Sequence, residues 1–251
     1  MIDWDDEAGH FRTHWARLAD PARQAIADAV ELRDARVLDV GCGNGDFCAL
    51  ALERGAQVSG IDAAPAMIAT AKERAPDADL RVGEMDALPY ADGAFDLVTG
   101  FNSLQFSDDP VAALREWMRA GRTIAVCAWA ERERCEVDVV EAELRELGGA
   151  TPGKPFGPRL EAVAREAGLT VTTAADVAVP YEVADQDELE EAFLLDARGY
   201  GTLEAVGEAG SRAAITTAAA PFRRGDGSYR FENVFRYIIG RPASSPTPAA
   251  T

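Results

Sequence analysis

The stretch Arg36-Val37-Leu38-Asp39-Val40-Gly41-Cys42-Gly43-Asn44-Gly45-Asp46-Phe47 decides the fold. Its first five residues form a short apolar run, glycines at 41, 43 and 45 stop that run, and Phe47, Leu50, Ala51 and Leu52 then repeat at helical spacing until Gly55. The order is strand, glycine turn, helix. Upstream, Asp20 to Leu32 reads as a helix with Ala22, Ala25, Ile26, Ala29, Val30 and Leu32 on one side and Asp20-Pro21 as cap and first turn. Downstream, Gln57 to Asp62 is a second strand ending in an acid, and Pro65 to Arg74 a second helix. Leu80-Arg81-Val82, Phe95 to Thr99 and Thr123 to Trp129 continue the strands, with a loop from Gly100 to Pro110 and a helix from Val111 to Met118. This alternation argues for an α/β fold with a mostly parallel sheet covered by helices on both faces. Ligands of such sheets bind beyond the carboxyl ends of the strands, so the turns after the strands are the place to look for chemistry.

Beyond Trp129 the pattern changes. Val137 to Leu147 and Arg159 to Ala167 are amphipathic helices joined by a linker from Gly148 to Pro158, and Gly168 caps the second. Leu169 to Val183 is strand-like, Gln186 to Ala220 is helical but broken at Gly199, Gly201, Gly207 and Gly210, and Phe231 to Gly240 alternates as a last strand. The expected division is an N-terminal helical segment over residues 1–35, a ligand-binding core over 36–130, and the rest of the sheet over 131–241. That last part carries a helical cap insertion at about 186–225, and 242–251 is expected to be a disordered tail.

The 251 residues suit one large domain or one domain plus a small cap, and 47% hydrophobic with 27% charged residues is an ordinary globular composition. The net charge of −18 is the outlier. It disfavours nucleic acid and anionic membranes as partners, and otherwise serves solubility or a site that prefers a cation. Cys42, Cys48, Cys127 and Cys135 form no C-x-x-C pair, which fits a reducing, cytoplasmic setting. No hydrophobic leader and no apolar run of membrane-spanning length stands out. The spacing of Cys and His suggests no metal site.

Glycines where a strand hands over to a helix let a ligand approach the backbone and the helix N-terminus. A dinucleotide fingerprint would need glycine at 46, where this chain has Asp46, so a nicotinamide dehydrogenase is disfavoured. Asp62, seventeen residues after Gly45, is placed to accept hydrogen bonds from both hydroxyls of a ribose. Asp39, Asp62 and Glu84 could each instead cap a following helix or turn.

Together these residues resemble the class I S-adenosylmethionine-dependent methyltransferases, of the small-molecule kind. Val37 to Gly45 looks like the family's first motif, Gly60-Ile61-Asp62 with Ala63 and Met67 like its ribose segment, and Val82 to Tyr90 like its adenine segment. Phe95 to Val98 with Asn102-Ser103-Leu104-Gln105-Phe106 looks like the fourth strand and its loop. The resemblance covers about residues 36 to 129 well. It implies a Rossmann-like seven-stranded sheet with a C-terminal antiparallel strand, and S-adenosyl-L-methionine as cofactor. By that likeness the Gly41 to Gly45 backbone, with Cys42 and Gly43, and Phe101 hold the methionine part, and Asn102, Ser103 and Phe106 are further cofactor-binding residues. Asp62 holds the ribose, Glu84 and Met85 meet the adenine edge, Asp86 is a further cofactor-binding residue, and Asp39 orients the turn. Two departures stand out: Met118 to Arg122 is shorter than the family's Pro-Gly-Gly turn, and Glu84 replaces the commoner Asp.

The fixed sulfonium cation of such a cofactor favours carboxylates and aromatic faces around it. His10 and His14, four apart beside Phe11 and Trp15, share one helix face and are candidate bases. Tyr200, Tyr229 and Glu232 are further possible bases. Trp15, Trp129, Phe193, Tyr200, Phe222 and Tyr229 are the expected lining of a partly apolar acceptor pocket. The expected activity is methyl transfer to O, N or C of a small molecule by a monomer or homodimer. Cyclisation, elimination or aminocarboxypropyl transfer on the same cofactor is an alternative, as is a non-catalytic cofactor-binding partner. The absence of Asn/Asp-Pro-Pro-Tyr after the fourth strand, where Phe101-Asn102-Ser103-Leu104 stands, agrees with the charge in disfavouring nucleic acid.

Overall fold

The computed structural model describes residues 4–151 and 156–243. Seven strands form one sheet: β1 (Arg36–Val40), β2 (Gln57–Asp62), β3 (Asp79–Val82), β4 (Phe95–Phe101), β5 (Gly121–Trp129), β6 (Leu169–Ala178) and β9 (Val234–Pro242). Their order is β3-β2-β1-β4-β5-β9-β6. β1 to β5 pair in parallel, and β9 runs antiparallel between β5 and β6. The chain turns from β1 outward through β2 and β3, then crosses to β4 on the other side. The turns after β1 and β4 therefore diverge, and a crevice opens between them.

Side-chain alternation builds two apolar layers. Val37, Leu97, Ala125, Cys127 and Ile239 face one, and Leu38, Val40, Val98, Val126 and Ile238 face the other. The second layer is closed by α5 (Pro110–Ala120) and α7 (Leu160–Ala167), through residues such as Trp117 and Leu160. The first takes α2 (Asp20–Ala29), α3 (Asp46–Glu53) and α4 (Pro65–Arg74), and runs on without a break into a cap. The cap consists of α6 (Val137–Gly148), α8 (Gln186–Gly199), α9 (Thr202–Ala219) and a ribbon of β7 (Tyr181–Val183) with β8 (Tyr229–Phe231). α1 (Trp4–His14) lies against α4 and α8.

The last third departs from the pattern reading in three places. The strand-like stretch 169–183 is two strands, one in the main sheet and one in the cap ribbon. The alternation of 231–240 is interrupted by buried Asn233, whose side chain accepts from Val137 N and donates to the carbonyls of Val179 and Phe231. Phe231 therefore ends β8, and β9 begins at Val234. The expected helical break at Gly210 is absent, since α9 continues through it, whereas Gly207 (φ 71°, ψ 172°) does kink the helix. Of the stretch expected to be a tail, Pro242 ends β9 and 244–251 lie outside the described residues, as do 152–155 of the linker.

Candidate functional site

At the carboxyl end of β1 the chain enters the glycine turn with positive φ at Gly41, Gly43 and Gly45. The three have different reasons for being glycine. A Cβ on Gly41 would sit 2.3 Å from Ser103 Cβ, and one on Gly45 would sit 3.0 Å from Ala71 Cβ of α4. A Cβ on Gly43 would meet nothing within 4 Å, so this is the glycine that keeps the turn open to a ligand. The turn is held to its neighbours. Gly41 N and Cys42 N donate to Ile61 O (2.8 and 3.0 Å), and Ser103 Oγ donates to Val40 O (2.6 Å).

Asp62 ends β2 against the turn. One carboxylate oxygen accepts from Gly43 N at 2.9 Å and the other from Ala64 N at 3.0 Å. Burial raises its pKa, and these two N–H groups oppose the rise. The carboxylate thus clasps the glycine turn from β2. Asp39 is buried on the same side of the sheet and accepts from Thr99 Oγ1 at 2.7 Å. Burial pushes its pKa up to about 7, against the Thr99 hydrogen bond and the Arg23 charge.

A cavity of about 50 Å³ opens beside the turn, and Gly41, Gly43, Asn44, Phe11, Arg23 and Phe101 are among its walls. Phe47 and Phe101 meet with ring centroids 4.8 Å apart, and the Arg23 guanidinium lies 5.9 Å from the Phe101 ring centre. Asn44 Oδ1 accepts from Thr70 Oγ1 at 2.8 Å, while its buried Nδ2 has no partner among the described residues. Asp46 is bridged to Arg74 (2.7 Å) and Arg23 (3.6 Å). A carboxylate in the first turn of α3 would repel a pyrophosphate there, which is the physical content of the missing fourth glycine.

The loop after β4 places Phe101 and Ser103 at this site, with Asn102 in the left-handed region (φ 53°) and its Oδ1 buried without a partner among the described residues. Phe106 of the same loop is exposed. Ala63 and Met67 follow Asp62, Met67 buried against Ala8 and Phe11 of α1. Beyond β3, Glu84 is exposed, the Met85 carbonyl accepts from Trp117 Nε1 (3.1 Å), and Asp86 accepts from Ser107 Oγ (2.9 Å). The structure brings the glycine turn, Asp39, Asp62 and Phe101 together, with the 84–86 segment one strand further out.

The candidate bases and pocket residues are placed differently. His10 Nε2 donates to the Ala192 carbonyl of α8 (3.1 Å), and the His14 ring lies 4.8 Å from that of His10. Burial and His10 lower the pKa of His14, while Glu188 and Glu191 of α8 raise it. Both rings therefore face α8, and Phe11 is the α1 side chain in the cavity wall. Trp15 stacks on Tyr181 (4.7 Å) and donates Nε1 to Ala192 O (3.0 Å). Phe193 meets Trp15 edge-on, Phe222 packs on Phe231, and Tyr229 is buried in β8. Trp129 packs on Phe235 at the end of β5, and Tyr200 belongs to a polar cluster with Glu141 and Arg145. Glu232 is exposed beside Arg230.

Arg23, Asn44 and Phe11 were not singled out from sequence. Arg23 had a visible signal, being a cation on the same helical stripe as Ala19, Ile26 and Ala27.

Residues 38–128 match the family model described as "Methyltransferase domain". Over this segment the chain is similar to the class I S-adenosylmethionine-dependent methyltransferases. The chain is 37% identical over 98 residues to the demethylmenaquinone methyltransferase of Renibacterium salmoninarum, covering 39% of this chain and 41% of that protein. To the ubiquinone biosynthesis O-methyltransferase of Xanthomonas euvesicatoria pv. vesicatoria it is 35% identical over 118 residues, covering 45% and 48%. The chain thus matches less than half the length of these curated relatives. Solved structures share the fold over more of the chain. The [4+2]-cyclase SpnF aligns with TM-score 0.59 and 22% identity, covering 93% of this chain and 85% of its own. Geranyl diphosphate C-methyltransferase from Streptomyces coelicolor A3(2), solved with S-adenosyl-L-homocysteine, aligns with TM-score 0.52 and 17% identity, covering 90% and 80%. No helix among the described residues is long and apolar enough to cross a membrane.

Proposed function

We propose that the protein is a methyltransferase that binds S-adenosylmethionine at the glycine turn and methylates a small, partly apolar, ring-bearing acceptor under the cap. The observation that carries this reading is Asp62 clasping Gly43 across β1 and β2, within the segment that matches the methyltransferase family. The residues fit the cofactor. Gly43 leaves the approach free, Asn44 offers an unpartnered donor, and Phe101 and Phe47 supply aromatic faces suited to a cation. Asp62 would take the ribose and the 84–86 segment the adenine. The bound cofactor supplies a methyl group on a positively charged sulfur.

The protein's part is to hold the acceptor in line in a dry space, which accounts for most of the rate in a displacement at a small carbon. Phe11, Phe47 and Phe101 exclude water beside the turn. The buried Asp39, held by Thr99, fixes the end of β1 from which the turn starts. A base is needed only for an acceptor that starts protonated. His10 and His14 remain candidates if α1 and α8 shift on binding. The relatives named for demethylmenaquinone and ubiquinone biosynthesis point to a quinone-like ring as acceptor class, and the buried free cysteines suit a reducing, cytoplasmic setting.

The test is product analysis with S-adenosylmethionine and naphthoquinol or catechol acceptors. Methyl transfer leaves S-adenosylhomocysteine. Methylthioadenosine would indicate transfer of the aminocarboxypropyl arm, and a rearranged acceptor with intact cofactor would indicate a cyclase.

A further inference from the structure

The cap contains a buried polar cluster that the apolar reading of the acceptor pocket does not explain. Arg145 of α6, only 4% exposed, donates to Asp138 (2.6 Å), Glu141 (2.8 Å) and Tyr200 Oη (3.3 Å), and Tyr200 donates to Glu141 (3.1 Å). Arg145 thus bridges Glu141 and Asp138, and Asp138 is shared by Arg145 and Arg132. Asp196 of α8 sits within electrostatic reach of Glu141, Arg145 and, from β7, Tyr181.

Three polar atoms of this group are buried without a partner among the described residues: Asp196 Oδ2, Arg145 Nε and Tyr181 Oη. Buried donors and acceptors are normally paired, and each orphan of this kind needs a cause. A purely structural network would close on itself, as the Glu190 group does between α8 and α9, where Gln186, Thr216 and Arg212 all point at one carboxylate. Burial and the neighbouring Glu141 carboxylate favour the protonated form of Asp196, which offers one donor and one acceptor. The Tyr181 hydroxyl also donates and accepts. Phosphate and carboxylate groups are disfavoured by Asp138 and Glu141. A neutral hydroxyl, which both gives and takes a hydrogen bond, matches the set.

The surroundings are aromatic. Tyr181 stacks on Trp15 and meets Phe193 and Phe231 with ring centroids 6.4 and 6.3 Å away, and the Arg145 guanidinium lies 5.3 Å from the Tyr200 ring centre.

We infer that Asp196 and Tyr181, backed by the Glu141–Arg145–Tyr200 network, are the recognition point for a ring hydroxyl of the acceptor, so that the cap selects hydroxylated aromatic molecules. The inference rests on the methyltransferase reading for the role of the cap, and the test separates the two. With the protein saturated by S-adenosylhomocysteine, calorimetry compares 1-naphthol with 1-methylnaphthalene, which has the shape without the hydroxyl. The wild type should prefer 1-naphthol by about tenfold, the value of well-made hydrogen bonds in a buried site. Tyr181→Phe and Asp196→Leu should each erase most of that preference, while Asp196→Asn, which keeps one donor and one acceptor, should retain it. Tyr181→Phe should not lower the melting temperature, because it removes a hydroxyl with no internal partner.

Equal binding of the two probes to the wild type would overturn the inference, as would binding of neither. A preference that survives both Tyr181→Phe and Asp196→Leu, or a clear fall in melting temperature in Tyr181→Phe, would do the same. Should Asp196→Leu fail to fold, Tyr181→Phe carries the decision. Failure of S-adenosylhomocysteine itself to bind would instead count against the cofactor reading.

Discussion

The glycine turn and the cap pack on one apolar layer, yet the turn is held mainly through backbone groups and the cap mainly through side chains. Around the turn, most buried groups are tied to backbone: Asp62 to Gly43 and Ala64, Ser103 to Val40, the Gly41 and Cys42 amides to Ile61. In the cap, Arg145, Glu141, Asp138 and Tyr200 are tied to one another by side chains, and buried polar atoms without a partner among the described residues occur in both regions, on Asn44 and Asn102 at the turn and on Asp196, Tyr181 and Arg145 in the cap. A site built from backbone geometry can bind the same cofactor across many proteins, because the backbone does not depend on side-chain identity. A site built from side chains on inserted helices can change its ligand by substitution.

The contrast can be broken most forcefully at the turn. Gly41→Val would drive a side chain into Ser103 at a position with φ 67°, and should destabilise the fold by about 3 kcal/mol or more in urea unfolding. Gly43→Ala, with open space in front of it, should cost only about 1 kcal/mol of stability while sharply weakening the cofactor. If both variants behaved alike, the distinct roles given to the two glycines would fall.

A pH comparison reaches the next largest effect. Asp39 has a folded-state pKa of about 7, above its ordinary value of 3.8, so between these limits the folded protein holds a proton that the unfolded chain has released. Its contribution is fully favourable below the lower limit and is lost as pH rises through the upper one. Wild type should lose about 2 to 3 kcal/mol from this group between pH 5 and pH 8, and Asp39→Asn should show a correspondingly flatter profile. Equal slopes would mean that Asp39 ionises without penalty.

Asp62→Ala should weaken cofactor binding by roughly 1.5 to 3 kcal/mol by calorimetry, as expected for lost hydrogen bonds to a charged group. Glu84→Ala, at an exposed position, should weaken it by about 1 kcal/mol, with no change in acceptor preference. An unchanged affinity in Asp62→Ala would leave the carboxylate as a clasp for the turn and nothing more.

What could be read from the sequence follows the same divide. The strands β1 to β5 and their helices are visible because glycine, proline and apolar period are local signals, and the ribose acid is visible because its distance from the turn is fixed by one helix and one strand. The cap hides from such reading. The 169–183 stretch looks like one strand because nothing local marks its transfer to a second ribbon, and Asn233 interrupts the alternation of 231–240 through contacts with residues 137 and 179. His10 and His14 share a face as their spacing says, but which neighbour that face meets is a tertiary fact, and it is α8. Arg23 is a middle case: its place on an apolar stripe is legible, while its reach to Asp46 and Phe101 is not.

The central claim is that the turn between β1 and α3 holds S-adenosylmethionine. Calorimetric titration of the wild-type chain with S-adenosylmethionine and with S-adenosylhomocysteine tests it most directly. Saturable binding of both is expected, weakened in Asp62→Ala and in Gly43→Ala; failure of both ligands to bind at millimolar concentration, in protein shown to be folded, would mean that the turn does not hold this cofactor.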